Sequence, residues 1–136
     1  MRRAVLRADP VTLDVLSGSY TICRLGAASP VPSWAAGGAF SSITRTPHEL
    51  SIVCASDQVP ADVQAQREYR GLVVRGPLDF SLVGIVAALS AVLASASISI
   101  FVVSTYDTDY LFVRAGDLDR AVTALRGAGH TVATGA

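Results

Sequence analysis

An uncharged run in the second half of the chain constrains the fold more than any other feature. No residue between Asp79 and Asp107 carries a formal charge. The run is longer than the roughly 20 apolar residues that a membrane-spanning helix needs. However, its hydrophobic spacing is helical from Leu82 to Ala96 and strand-like from Ile98 to Val103, several serines interrupt it, and no basic cluster flanks it. We therefore predict the buried part of a small soluble α/β domain rather than a membrane span.

The composition excludes several classes of function. With 136 residues, 51% of them hydrophobic and 16% charged, the chain can bury a core as one domain or two very small ones. Its formal net charge is zero, so no basic field exists to attract nucleic acid or an anionic membrane. The chain has no lysine, which excludes a P-loop, a Schiff base and pyridoxal phosphate chemistry. We predict no cofactor.

The second half alternates strand-like and helix-like segments in the order β-α-β-β-α-β, the split-βαβ arrangement of ferredoxin-like domains. Asp117 is a suitable N-cap for the second helix, and Gly127 and Gly129 suit its end. The predicted segments are strand Tyr69–Arg75, helix Leu82–Ser95, strands Ile98–Thr105 and Asp109–Arg114, a helix after Asp117 and strand Thr131–Ala133.

The first half resembles the second at a constant offset of sixty residues, which aligns Thr44 with Ser104 and Ile52 with Phe112 without a gap. We interpret the match as a duplication. The first unit, residues 11–68, would have degenerate helices, and the second, residues 69–136, would be complete. First-half strands are predicted at Val11–Leu16, Phe40–Thr46 and Glu49–Ala55, and Tyr20–Leu25 is either a strand or the start of a helix.

No convincing catalytic constellation is present. His48 lies in a predicted turn, and no motif supports a Ser-His-Asp triad. Asp107 and Asp109 share a face of a strand and could hold a hard cation with neighbouring threonines, but a solvated β-turn is the favoured interpretation, and we predict no metal site. Cys23 and Cys54 lie in apolar runs, which favours buried free thiols over a disulfide.

The loop Gly76–Leu82 is the strongest candidate for a binding site. It places Asp79 and Ser81 just before a helix whose first N–H groups lack intrahelical partners. Those amides and the helix dipole favour a carboxylate, and Asp79 either accepts hydrogen bonds from an ammonium group or caps the helix. The loop could therefore hold both ends of an α-amino acid, with Ser104 and Thr105 supplied by the strand beside it.

The motifs GPLDFSLVGI, STYDTDYLFV and GHTV, together with FSSITRT and HELSIVC, resemble the ACT-domain family over roughly residues 11–133. Within it they resemble the small tandem-ACT proteins related to CASTOR-type cytosolic arginine sensors. The resemblance implies an α+β fold of two ferredoxin-like βαββαβ units, with antiparallel sheets and helices on one face. It also implies amino-acid binding between two ACT units. Because the arginine sensors carry more ACT units than this chain has, a homodimer would be needed to rebuild the equivalent interface. The implied contacts are Asp79, Phe80, Ser81, Leu82, Val83 and Gly84 from the loop, and Ile100, Phe101, Ser104 and Thr105 from a facing strand.

Three functional hypotheses remain. The leading one is a cytoplasmic, non-enzymatic regulatory protein that binds an amino acid and acts on a protein partner. The second is a ligand-free ACT-type module for dimerisation or docking. The third is a small enzyme using Asp107, Asp109 or His48.

Overall fold

The computed structural model describes residues 10–78 and 84–135. The chain forms two compact units. We call Gly18–Arg70 the inserted unit, because it interrupts the discontinuous unit formed by residues 10–17 and 71–135. In chain order the elements are β1 Thr12–Val15, β2 Tyr20–Leu25, β3 Ser41–Arg45, β4 Leu50–Ala55, β5 Ala65–Val74, α1 Ile85–Ser95, β6 Phe101–Ser104, β7 Asp109–Arg114, α2 Leu118–Gly127 and β8 Thr131–Ala133.

The inserted unit is an antiparallel sheet in the order β3-β4-β2, with the first half of β5 paired to β2. Alternation builds its core, because Leu50, Ile52 and Cys54 occur at every second position of β4 and are fully buried. Cys23 and Ala35 complete that cluster. The only helical segments of residues 18–70 are two 3₁₀ turns, Ser33–Ala35 and Ser56–Gln58.

The discontinuous unit is a five-stranded sheet in the order β6-β7-β5-β1-β8. β1 pairs antiparallel with β5 and parallel with β8. Both helices contribute to one core with the strands, so they cover one face of this sheet. That core includes Leu13, Leu72, Val74, Leu89, Leu93, Leu111, Val113, Val122 and Leu125. The predicted mixed α+β class is thereby confirmed.

The first strand lies in a different unit from the one predicted. Residues 11–16 were expected to open the first unit, whereas β1 lies between β5 and β8 in the discontinuous unit. Its Leu13 side chain is fully buried in the core of that unit. β1 takes this place because its position between β5 and β8 pairs its backbone on both sides and buries Leu13.

The sixty-residue offset holds for the two hairpins, since β3 corresponds to β6 and β4 to β7. Their registers differ by two residues, because Ser41 pairs with Cys54 but its counterpart Phe101 pairs with Phe112. Tyr20–Leu25 is a strand throughout, while its counterpart begins in residues 79–83, outside the described part of the chain. The prediction of Asp117 as N-cap holds for its position alone: its carboxylate accepts a hydrogen bond from Arg120 at 2.8 Å instead of capping the helix.

No helix in the described residues is both long and apolar enough to cross a membrane. Helix α1, the apolar one, has 11 residues.

Candidate functional site

A cavity of about 630 Å³ opens in the discontinuous unit where the start of α1 meets the turn between β6 and β7. This volume suits a small metabolite. One wall is mainly apolar and the other mainly polar. The described lining residues are Leu78, Gly84, Ile85, Val86, Ala87, Ser104, Thr105, Tyr106, Asp107, Thr108 and Asp109.

Helix α1 begins at this cavity. Gly84 is its N-cap and has a φ of +86°, a left-handed conformation that glycine adopts without steric strain. Among the described residues no side chain caps the helix there, and its first turn holds no acidic residue. The first N–H groups of an α-helix have no intrahelical partners, so the positive end of the α1 dipole lies at the cavity.

The opposite wall is a polar turn closed by its own hydrogen bonds. The Thr105 amide donates to the Thr108 carbonyl at 2.8 Å, and the Thr108 amide donates to Thr105 Oγ1 at 3.3 Å. Ser104 Oγ donates to Asp109 Oδ1 at 2.5 Å. The turn is therefore internally ordered while its side chains line the cavity.

The charges of the two walls are complementary. Asp107 and Asp109 are the only charged side chains among the described lining residues. Asp109 already accepts a hydrogen bond from Ser104, whereas the Asp107 carboxylate has neither a hydrogen bond nor an ion pair in residues 10–78 and 84–135. Tyr106, at the mouth, is 84% exposed. The cavity thus offers amide donors for an anion on one wall and a carboxylate for a cation on the other.

The structure brings together three of the residues predicted for binding, Gly84, Ser104 and Thr105, which all line the cavity. Asp79, Phe80, Ser81, Leu82 and Val83 lie outside the described residues. Ile100 and Phe101 do not line it. Both precede the end of β6 that reaches the cavity: Ile100 packs against the core, and Phe101 pairs with Phe112.

In the sequence, Asp107 and Asp109 were candidates only for metal binding or catalysis, Thr108 was a candidate only for metal binding, and Tyr106 had no predicted binding role. The signal that could have found them is the short link between β6 and β7, because it includes Thr105 and follows the strand that ends at Ser104. Any ligand that contacts the end of β6 also lies near this link.

The cysteines and histidines lie outside the lining of this cavity. No group of three or more His, Cys, Asp or Glu side chains that could hold a metal ion occurs among the described residues. Cys23 and Cys54 are free and buried, and burial raises the pKa of both thiols, that of Cys54 to about 11. His130 is buried, and its Nδ1 accepts a hydrogen bond from the Val11 amide at 3.1 Å. His48 follows β3 in a turn and accepts, through its carbonyl, a hydrogen bond from Arg24.

Comparison with known proteins places these features in a family. A family model described as an ACT domain matches residues 64–127, and a second model, of an N-terminal domain, matches residues 18–62. No curated protein sequence matches the chain. A protein of Agobacterium tumefaciens with a solved crystal structure is 43% identical, over 95% of this chain and 96% of that one, with a TM-score of 0.90.

Two more distant structures share the fold. A protein of unknown function from Vibrio cholerae, described as a possible transport protein, has a TM-score of 0.68 at 20% identity, over 86% of this chain and 88% of that one. The regulatory subunit of aspartate kinase from Thermus flavus has a TM-score of 0.62 at 13% identity, over 88% of this chain and 99% of that one. Residues 64–127 therefore match the ACT domain, and over nearly its full length the chain belongs to the same family as the Agrobacterium protein.

Proposed function

We propose that this protein is a non-enzymatic regulatory module that binds an α-amino acid in the cavity between α1 and the β6–β7 turn. The observation that carries the proposal is that a helix N-terminus and the Asp107 carboxylate, which has no partner among the described residues, line one cavity of about 630 Å³. An α-amino acid carries an anion and a cation on adjacent atoms, which matches these two walls.

Each end of the ligand has a proposed partner. The carboxylate would accept hydrogen bonds from the first amides of α1, supported by the helix dipole. The ammonium would donate to Asp107, because the carboxylate of Asp109 is already engaged by Ser104. The residues predicted for binding in the preceding loop, Asp79, Phe80, Ser81, Leu82 and Val83, would also contact the ligand, and Asp79 would share the ammonium.

A regulatory role is supported by structural similarity to a regulatory subunit. The structural relatives of this chain include a regulatory subunit of aspartate kinase from Thermus thermophilus, whose structure is described as the ligand-free form. At 12% identity that relative shares the fold with this chain. We propose that this chain likewise regulates a protein partner, and that it does so in the cytoplasm, where free thiols such as Cys23 and Cys54 remain reduced.

We further propose that the working form is a homodimer. In the described residues β6 pairs with β7 alone, so one edge of this apolar strand is open to pairing. A second copy at this edge would bring its own Ile100 and Phe101 toward the ligand. The same open edge favours the alternative function, a ligand-free module that dimerises or docks on an enzyme.

The test is a thermal-shift screen with the standard amino acids, each compared with its α-amide and N-acetyl derivative. A ligand that binds only the native state at one hundred times its dissociation constant adds about 2.7 kcal/mol of stability. We expect one amino acid or a related group to raise the melting temperature, and both derivatives to lose the effect, because each removes one of the two charges.

Two variants locate the binding. Asp107→Asn should weaken the affinity about tenfold, the size of a lost charge-assisted hydrogen bond, whereas Asp62→Asn, an exposed aspartate of the inserted unit, should leave it unchanged. Asp79→Ala should also weaken binding. A screen without any shift would reject the amino-acid proposal, and a tight dimer by light scattering in the same sample would favour the docking module.

A further inference from the structure

The turn that forms the polar wall of the cavity is hydrogen-bonded to the end of β5 and to the segment that follows it, residues 75–78. We call this connection the clamp. Thr108 Oγ1 donates a hydrogen bond to the carbonyl of Val74, the last residue of β5. The Leu78 amide donates to the carbonyl of Asp107 at 2.7 Å. These two bonds connect residues about thirty positions apart, so the turn cannot move away from the segment without breaking both.

Gly76 lies between these two bonds and makes the close approach possible. A β-carbon at this position would lie 3.1 Å from the Asp107 carbonyl oxygen, 3.1 Å from the Leu78 nitrogen and 3.4 Å from the β-carbon of Thr108. The first two neighbours are backbone atoms, which cannot rotate out of the way as a side chain would. Any larger residue would therefore push the turn and the segment apart.

We infer that Thr108 and Gly76 are positioning residues of the cavity. Thr108 acts through its hydroxyl and Gly76 through its missing side chain, and together they hold Asp107 against the segment that leads into α1. Val74 and Gly76 do not line the cavity, so their effect is transmitted through Leu78 and Asp107. The role of these residues in ligand binding rests on the proposed function, whereas the clamp between turn and segment does not.

The clamp is tested without any ligand by residue-resolved amide hydrogen exchange. The Leu78 amide reports directly on it, because its acceptor is the Asp107 carbonyl. Thr108→Val keeps the shape of the side chain and removes the hydroxyl, while Thr108→Ser keeps the hydroxyl. We expect Leu78 to exchange about tenfold faster in Thr108→Val, as for one lost hydrogen bond with a stranded carbonyl, and near the wild-type rate in Thr108→Ser.

A matched pair of glycine variants provides the second arm. Gly76→Ala should also accelerate Leu78 exchange, whereas Gly116→Ala should not, because a β-carbon at Gly116 meets no atom within 4 Å. The Leu111 amide in β7 serves as the reference for global opening. Unchanged Leu78 exchange in Thr108→Val, equal acceleration in the valine and serine variants, or equal acceleration at Leu111 would each overturn the inference.

The amino-acid thermal-shift panel, repeated on the Thr108 variants, separates the clamp from the proposed function. A ligand shift that is reduced in Thr108→Val and restored in Thr108→Ser establishes the positioning role. A full shift in Thr108→Val refutes that role. If wild type shows no shift with any amino acid, the proposed function fails, and the exchange data alone decide whether the clamp exists.

Discussion

Replacement of Gly71 by alanine tests how tightly the discontinuous unit is packed. Gly71 lies in β5, and a β-carbon there would be 2.8 Å from Leu16 Cδ1 and 2.9 Å from Phe112 Cε2. Both distances are shorter than real β-carbon contacts, so a neighbour must move. The Leu16 side chain ends in a methyl group that can rotate, but the Phe112 ring is fully buried and has little room.

The expected cost follows from these contacts. Inserting one methyl group into a well-packed core costs about 1–3 kcal/mol. The loss of glycine's freedom in the unfolded chain offsets about 0.4–1 kcal/mol of this. From the midpoints of these two ranges we expect Gly71→Ala to lower the free energy of unfolding by about 1.3 kcal/mol, seen as a lower urea midpoint at unchanged slope. Gly116→Ala, with open space around its β-carbon, is the control and should leave the midpoint nearly unchanged.

A double-mutant cycle identifies the clash. In a Leu16→Ala background one of the two short contacts is absent, so Gly71→Ala should cost at least about 0.5 kcal/mol less than in wild type. A Gly71→Ala protein as stable as wild type would refute the packing argument. If the two free-energy changes are additive, the Leu16 side chain is not the group that must move.

Three further predictions follow from single contacts. Hydrogen bonds with Arg75 lower the pKa of the Asp14 carboxyl, so the contribution of this ion pair to stability is present above the ordinary pKa and is lost as the pH falls. Both side chains are substantially exposed, which keeps that contribution small. Asp14→Asn should therefore change the urea midpoint only slightly at pH 7 and not at all in acid. Cys23 and Cys54, buried and with raised pKa values, should react with Ellman's reagent at pH 8 only after denaturation. Leu93→Ala, at a fully buried position of α1, should lower the free energy of unfolding by about 2–5 kcal/mol in the same urea assay. A smaller loss would mean that neighbouring side chains move in to fill the space left by the leucine.

The elements that sequence reasoning located best are those with strong local patterns. The predicted strands Asp109–Arg114 and Thr131–Ala133 have the bounds found in the structure, and the helix after Asp117 ends at Gly127 as expected. Alternating burial, helical spacing and glycine at a helix end act within a few residues, so they can be read without knowledge of the partners.

The site was less accessible to the same reasoning. The end of β6 was chosen correctly as a neighbour of the helix start, since Ser104 and Thr105 line the cavity. Asp107 and Thr108 were not assigned to amino-acid binding, because their position depends on hydrogen bonds to Leu78 and Val74. Both bonds are accepted by backbone carbonyls, which every residue type possesses and no sequence pattern marks.

The sequence by itself determined the α+β class, the order of elements in the second half and the absence of lysine chemistry. These properties follow from composition and from periodicity over a few residues. Only the tertiary structure decided that β1 lies between β5 and β8 and that Asp107 meets the start of α1 across a cavity. The physical reason is that strand partners and cavity walls are selected by the total burial and backbone hydrogen bonding of the folded unit, which joins residues far apart in the chain.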